Sequence, residues 1–356
     1  MDKGRNQKVY NHYVPQFLLK NFSENDKSIS MYIKDTGHYV KDAPIRKVAG
    51  SDYLYGENGK IEDIFCEIEG FAAGIIKKIC SNEQLPKSKQ DKEFLYLFFT
   101  LSEARTKEIA DNFTQILNDY VKNTARFGMY LGLPGFAEFT DDEIEELKVT
   151  MEIPNLCSIK AATNMSDAIR DLQMLLIVNR TKTPFIIADT PVTKYNYYLL
   201  NCKNVMGYGW FQKGIIAIMP ISNSYAIALV DTCIYRIRSF NKKKVVINDD
   251  NEIFQINKLF ALQAKQFIYA NQRIPAEYIA QLLDEKEELR ALNANQLFLT
   301  VVSVRSIKNR IQLPFLKMKV KPLYGQAHKS TDYYRKHTIP LLNGDSKTWI
   351  YKGEGK

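Results

Sequence analysis

The hydrophobic pattern changes its period part-way along the chain, and this change constrains the possible folds more than any other feature. Apolar residues recur at helical spacing from Ile61 to Ile79, and the amphipathic stretch 89–127 contains neither proline nor glycine. Beyond residue 182 the apolar residues instead form short runs bounded by turn residues, which is typical of buried strands. Helices followed by strands, without strict alternation of the two, indicate an α+β protein.

From this pattern we predict a mostly helical bundle packed against a small antiparallel sheet. Hairpins are expected at 28–40 and 215–230, where strand-like runs flank short turns. The expected helices are 61–80, 89–127 (as one helix or two), 164–179 and 251–271. The predicted division is an N-terminal hairpin plus helical part at 1–182, a β-containing part with a following helix at 183–306, and a basic C-terminal extension at 307–356.

Length and composition favour a globular protein that does not enter a membrane. With 356 residues and 45% hydrophobic content, the chain can bury one large core or two modest ones. No run approaches the ~18 apolar residues of a membrane helix, and the N-terminus lacks the apolar region of a signal peptide. We therefore expect a cytoplasmic location. The five cysteines form no Cys-x-x-Cys pair and are predicted to be buried free thiols.

The positive charge is concentrated at the C-terminal end. Residues 301–356 contain 12 Lys and Arg but only 3 acidic residues, which leaves 37 of each sign in residues 1–300. Aromatic residues are interleaved with these cations, a combination that suits RNA or DNA because cations contact phosphates and rings stack on bases. The alternative is a solvated basic edge. The predicted nucleic-acid-binding residues are Lys317, Lys319, Lys321, Arg335 and Lys336.

Common catalytic motifs are missing from the sequence. It contains no phosphate-binding Gly-x-x-x-x-Gly-Lys loop, no Gly-x-Gly-x-x-Gly, no His-Glu-x-x-His and no Gly-x-Ser-x-Gly, which disfavours P-loop enzymes, kinases, zincins and serine hydrolases. Dispersed polar residues in apolar surroundings remain as candidates for a site. They are His12, Glu62, Glu69, Arg105 and Asp189, with Asn257 as a further candidate.

If these residues converge, they make a nitrogen and oxygen ligand set suited to Mg²⁺ or Mn²⁺. In a metal-dependent nuclease, Glu62, Glu69 and Asp189 would hold the metal, and Arg105 would stabilise the charge on the phosphate. His12 would then be a ligand or the general base. In a metal-free variant, His12 would be the base and a carboxylate the acid, acting on RNA.

Each candidate also has a structural interpretation. His12 can hydrogen-bond the turn before Pro15, Glu62 and Glu69 can pair with Arg105, and Asp189 can terminate a strand through an Asx-type turn. The chain would then be a non-catalytic nucleic-acid- or protein-binding module with a structural polar core. A third hypothesis is an enzyme that acts on nucleotides or protein side chains.

Two short motifs support a family resemblance. The segments His12-Tyr13-Val14-Pro15 and Asp189-Thr190-Pro191-Val192 resemble a bacterial family known as domain of unknown function 4238. The resemblance implies that a glutamate helix, an arginine after a long apolar helix and a Ser/Ala-Asp-x-Pro turn belong to one site. It also implies a role in bacterial defence. Ala188 departs from the serine common at that position, which weakens any role for a hydroxyl there.

Overall fold

The computed structural model shows an α+β protein. It describes residues 10–56, 59–136, 138–200, 209–239, 241, 243–284 and 310–319, together with strands at 338–340 and 349–351. The helices are α1 (Gln16–Lys20), α2 (Lys60–Asn82), α3 (Lys89–Ala104), α4 (Lys107–Tyr130), α5 (Asp141–Glu146), α6 (Leu156–Ala168), α7 (Asp250–Gln263) and α8 (Ala276–Leu282). A short 3-10 helix lies at Ile45–Lys47.

Fifteen strands are assigned within this part of the chain. They are β1 (Tyr10–His12), β2 (Ser28–Ile33), β3 (Tyr39–Pro44), β4 (Gly50–Asp52), β5 (Gln173–Asn179), β6 (Ile187–Ala188), β7 (Thr193–Tyr195), β8 (Ile216–Pro220), β9 (Tyr225–Val230), β10 (Tyr235–Ile237), β11 (Lys244–Ile247), β12 (Phe267–Ala270), β13 (Leu316–Met318), β14 (Thr338–Pro340) and β15 (Trp349–Tyr351). Most of them belong to two sheets, and three two-stranded pairs complete the set.

The larger sheet has five strands in the order β11-β5-β9-β8-β7. Strand β5 pairs with β11 in parallel and with β9 in antiparallel orientation, so the sheet is mixed. The central strands β5, β8 and β9 are almost continuously buried. Because this sheet lies at the centre of the core, the prediction of a mostly helical bundle on a small antiparallel sheet is not confirmed, whereas the α+β class is.

The second sheet has four strands in the order β3-β2-β12-β6, all antiparallel. Its β2–β3 hairpin confirms the hairpin predicted at 28–40, and the β8–β9 pair confirms the one at 215–230. The first sheet joins β5 to strands that follow residue 182, and the second joins β2 and β3 to β6 and β12. Both sides of the predicted division at 182 therefore contribute to one continuous core.

Two predicted helices are wrong over part of their length. Residues 173–179 form strand β5, and residues 267–270 form β12, instead of continuing α6 and α7. Both segments are short apolar runs, and periodicity alone does not distinguish a buried strand from a buried helix. The stretch predicted as one helix or two is two, α3 and α4, separated at Arg105 and Thr106.

Two further predictions concern the surface. Within the described part of the chain, no helix is both long enough and apolar enough to cross a membrane. The cysteines described are free, as predicted, but Cys66, Cys157 and Cys233 are exposed rather than buried. Cys202 lies outside the described residues.

Candidate functional site

Arg105 is the centre of a buried polar network that joins three elements. It lies directly after α3, is only 1% exposed, and its Nη2 atom is 2.8 Å from Oε1 of Glu69 on α2. The same Nη2 donates to the backbone carbonyl of His12 on β1. The guanidinium group also lies over the ring of Phe65, 4.2 Å from its centre. Arg105 therefore ties the end of α3 to α2 and to the first strand.

Tyr55 completes this network. Its hydroxyl accepts a hydrogen bond from Arg105 Nε at 3.0 Å and donates to the His12 carbonyl at 3.2 Å. Burial raises the pKa of Tyr55 to about 12, and the charges of Glu62 and Glu69 contribute to the rise. Burial alone would lower the pKa of Arg105, but Tyr55 and Glu69 outweigh that effect and raise it. Both groups therefore hold their protons at neutral pH, as a structural network requires.

His12 contributes its backbone carbonyl to the network, while its imidazole ring lies next to the side chain of Gln16. The residue is 8% exposed, and its Nδ1 lies 3.3 Å from Nε2 of Gln16. Nε2 is buried and has no hydrogen bond of ordinary geometry among the described residues. Burial and then the charge of Arg105 lower the pKa of His12, although the Ile45 and Arg46 carbonyls oppose the shift. The imidazole is therefore neutral at pH 7, and its Nε2 is not open to a substrate.

Asp189 organises the connection between α7 and β12. Its Oδ1 accepts from the amide of Lys265 at 2.8 Å, and its Oδ2 accepts from those of Gln266 and Phe267 at 2.7 and 2.9 Å. The side chain is 6% exposed. The predicted local Asx turn is thus replaced by bonds to a segment about eighty residues away in sequence. Buried carboxylates need such partners.

The two motif segments meet at a polar cavity of about 240 Å³, here named the motif cavity. It is lined by Tyr13, Asp189 and Thr190, by Lys107, Glu108 and Asp111 on the first turn of α4, and by Asp35, Lys265 and Gln266. Lys107 pairs with Asp111 at 2.9 Å. Burial, followed by the Asp189 carboxylate, raises the pKa of Tyr13. The cavity can accommodate a small polar molecule. Tyr13, one of its lining residues, is a protonated phenol at neutral pH.

The predicted metal ligands are not assembled into a metal site. Among the residues described, no group of three or more His, Cys, Asp or Glu side chains is placed to bind a metal ion. Glu69 is bound to Arg105, and both oxygens of Asp189 accept backbone amides. The structure therefore brings together Glu69, Arg105 and the His12 backbone, but not a ligand set for Mg²⁺ or Mn²⁺.

A basic two-stranded ribbon forms a second candidate site. Strands β10 and β13 pair in antiparallel orientation with Arg236 directly opposite Lys317. Arg236, Lys317 and Lys319 are exposed, and we call these three residues the basic ribbon. The alternating Ile311, Leu313 and Phe315 are buried and anchor the segment that leads into β13. Of the predicted nucleic-acid-binding residues, Lys317 and Lys319 lie here, and Lys321, Arg335 and Lys336 lie outside the described residues.

Comparison with known proteins places these sites in a family context. The profile of a family described as "Protein of unknown function (DUF4238)" matches residues 10–273, most of the chain. The chain belongs to the DUF4238 family. No curated protein and no solved structure shows a significant match. The DUF4238 match includes the Arg105 network, the motif cavity and β10, whereas β13 lies beyond it.

The residues of these sites in the DUF4238 protein that were not predicted as site residues include Tyr55, Tyr13 and Arg236. Tyr55 and Tyr13 are buried tyrosines whose hydroxyls need partners, but tyrosines are frequent in this chain, with 21 in all. Arg236 lies in the alternating segment Tyr235-Arg236-Ile237, which does predict an exposed cation on a strand. Its partner Lys317 is about eighty residues away in sequence, so no local sequence pattern predicts that the two residues are paired.

Proposed function

We propose that this DUF4238 protein binds nucleic acid through the basic ribbon, and that the network around Arg105 stabilises the fold without taking part in catalysis. The observation that carries the proposal is the cross-strand pair of Arg236 and Lys317, two exposed cations in direct register. The proposal concerns this chain and not the whole family, since Lys317 and Lys319, two of the three residues of the basic ribbon, lie beyond the family match.

The pair is unfavourable by itself, which argues for a ligand. Residues directly opposite in an antiparallel ladder have Cα atoms about 4.5–5.5 Å apart, and like charges at that position destabilise the sheet. Neither side chain has an acidic partner among the described residues. A phosphate between them would relieve the repulsion and would be held by charge-assisted hydrogen bonds.

The neighbouring cations strengthen this interpretation to different degrees. Lys319 lies two residues beyond Lys317 on the same face, and its Nζ donates to the Thr232 carbonyl at 2.7 Å, which orients it without neutralising it. Arg238 is bonded through both terminal nitrogens to Glu252 at 2.9 Å, so its charge is already compensated. The three residues of the basic ribbon therefore form the phosphate-binding surface.

Nuclease activity, which the sequence predicts, has less support from the geometry. The proposed ligands Glu69 and Asp189 are engaged by Arg105 and by backbone amides, and the imidazole of His12 is buried. A metal-dependent or histidine-dependent hydrolase needs these groups open to its substrate. The non-catalytic alternative is therefore the better supported.

The test measures binding and cleavage in the same samples. Fluorescence anisotropy with single-stranded RNA, single-stranded DNA and duplex DNA compares the wild type with the double variant Arg236→Gln/Lys317→Gln. We expect binding that the double variant weakens at least tenfold, because a hydrogen bond to a charged group is worth about 1.5–3 kcal/mol. Equal binding by both proteins, or none by the wild type, would refute the proposal.

Gel electrophoresis of the labelled strands, incubated with the protein and Mg²⁺, Mn²⁺ or EDTA, tests whether the protein cleaves them. We expect intact strands in every lane. Cutting that both His12→Ala and Glu69→Ala abolish, while circular dichroism shows both variants to be folded, would show that the network is catalytic, and the EDTA lane would then distinguish metal from histidine chemistry.

A further inference from the structure

A second cavity lies against the inner face of the two strands that carry the basic ribbon. Its volume is about 190 Å³, and we call it the tyrosine pocket. Its walls include Tyr195, Tyr197, Tyr235, Gln312, Pro314 and Leu316. Because Tyr235 belongs to β10 and Leu316 to β13, the pocket and the basic ribbon are built on the same two strands.

Hydrogen bonds fix two of the aromatic walls. The Tyr195 hydroxyl accepts from the amide of Ile311 at 3.0 Å. The Tyr235 hydroxyl donates to the Gly214 carbonyl at 2.9 Å and accepts from the amide of Tyr198 at 3.0 Å. Since these hydroxyls are held by the backbone, the rings cannot swing into the cavity. The pocket is therefore preformed, which limits the entropy lost when a ligand binds.

An exposed cation lies over one aromatic wall of the pocket. The guanidinium carbon of Arg310 lies over the half-buried Tyr197 ring, 5.7 Å from its centre, and so covers one face of that ring. Gln312 and Pro314 are also exposed at the mouth. An aromatic ring with an arginine beside it is the combination that single-stranded nucleic-acid sites use for a base and its phosphate.

We infer that the tyrosine pocket accepts one unpaired nucleobase, so that the protein prefers single strands to duplexes. The inference rests on the proposed function, since the strand is brought to the pocket by the cations of the ribbon and Arg310. The cavity of about 190 Å³ is smaller than the ~300–1,000 Å³ of sites for drug-sized ligands and suits a single ring system. A base in a duplex is stacked and paired, so only an unpaired base can enter.

The test compares a single strand and the matching duplex on four proteins: the wild type, Tyr197→Ala, Tyr197→Phe and Gln312→Trp. We expect the wild type to favour the single strand. Tyr197→Ala should weaken single-strand binding about fivefold or more, the loss expected for one stacked base, and leave duplex binding unchanged. Tyr197→Phe retains the ring and should bind as the wild type does. Gln312→Trp, at an exposed position, should obstruct the mouth and act like Tyr197→Ala.

The outcomes separate this inference from the proposed function. If the wild type binds both forms equally and neither Tyr197→Ala nor Gln312→Trp changes binding, the pocket inference is refuted while binding by the basic ribbon stands. If the wild type binds neither form, both fail, and the pocket would fit an apolar side chain of a protein partner. A single strand carrying 5-iodouracil gives direct evidence, since crosslinking to Tyr197 is expected and crosslinking only elsewhere would contradict the inference.

Discussion

At the residue scale, Arg105 shows how a buried charge can hold a fold together. Its charge is matched by Glu69, its Nε donates to the Tyr55 hydroxyl, and its Nη2 donates to the His12 carbonyl. Desolvating such a group is costly, and the cost is offset only while every partner is present. The same side chain would be expected at a catalytic phosphate site, so only a measurement of stability separates the two roles.

Replacing Arg105 should destabilise the protein strongly. Arg105→Ala leaves the Glu69 carboxylate and the Tyr55 hydroxyl without their main partner, and removing one member of a buried pair costs about 3–5 kcal/mol. Urea denaturation measures the loss. The control is Arg273→Ala, because Arg273 is highly exposed and pairs only at the surface with Glu24, where we expect a change below about 1 kcal/mol. A stable Arg105→Ala protein would contradict the structural role.

His12 should make the protein less stable in mild acid. Its pKa is lower in the folded state than the ordinary value of 6.5, so the unfolded chain binds the proton more readily. Stability is therefore complete above pH 6.5 and falls as the pH drops from that value towards the folded pKa. Denaturation curves at pH 7.5 and 5.5 should show a smaller pH effect in His12→Gln than in the wild type. The control is His38→Gln, at an exposed position, which should retain the wild-type dependence of stability on pH. The same pH dependence in the wild type, His12→Gln and His38→Gln would contradict the prediction.

At the element scale, local pattern was sufficient where an element has one exposed face or where two strand-like runs flank a short turn. Helix α2 follows from its helical period, and the two hairpins follow from strand-like runs on either side of a turn. Strand β5 does not, because Met174 to Val178 are all buried and carry no alternation. Its identity as a strand is decided by pairing with β9 and β11, which are more than forty residues away in sequence.

Replacing two helix glycines by alanine, one at a time, should change the stability of the protein in opposite directions. A Cβ at Gly128 in α4 would lie 2.6 Å from Cγ of Phe136, so Gly128→Ala forces that ring to move and should cost about 1–3 kcal/mol. Gly70 in α2 has open space around it, and Gly70→Ala should stabilise the protein by about 0.5–1 kcal/mol. Thermal unfolding of both variants tests the pair. Stabilisation by Gly128→Ala would contradict the close contact with Phe136, and destabilisation by Gly70→Ala would contradict the open space at Gly70.

Glu83 joins the end of α2 to the five-stranded sheet. It accepts from Lys244 at 3.0 Å and Tyr225 at 2.9 Å, and also pairs with Arg180. The hydrogen bond from Lys244, followed by those from Tyr225 and Arg180, lowers the pKa of Glu83 from 4.5 to about 2. Its contribution to stability is therefore present above pH 4.5 and is lost as the pH falls towards 2.

Glu83→Gln should consequently lower stability at pH 7 and reduce the loss of stability between pH 4.5 and 2. Chemical denaturation across that range measures both effects. The control is Glu93→Gln, since Glu93 makes two long ion pairs near the surface, with Lys89 and with Arg170, each at 3.8 Å, and its replacement should change stability little. Equal pH dependence in wild type and Glu83→Gln would refute this role.

At the scale of the whole molecule, the candidate surface depends on contacts that no local pattern encodes. The excess of cations near the C-terminus predicted a polyanion partner, and Lys317 and Lys319 were among the residues named. The opposing Arg236 comes from the family domain, and only the antiparallel pairing of β10 with β13 places it there. Among the polar residues predicted as site residues, Glu69 forms an ion pair with Arg105, a contact that favours a structural role for both.

The salt dependence of single-strand binding tests the central claim most directly. The logarithm of the association constant falls with the logarithm of salt concentration by about 0.7 for each phosphate contact on a single strand. Arg236 and Lys317 hold one phosphate between them, so Arg236→Gln/Lys317→Gln should reduce the steepness of that slope by about 0.7. The control Lys27→Gln/Lys41→Gln makes the same change in net charge at exposed positions in the N-terminal hairpin region and should retain the wild-type slope. An unchanged slope in the double variant of the ribbon would contradict the account.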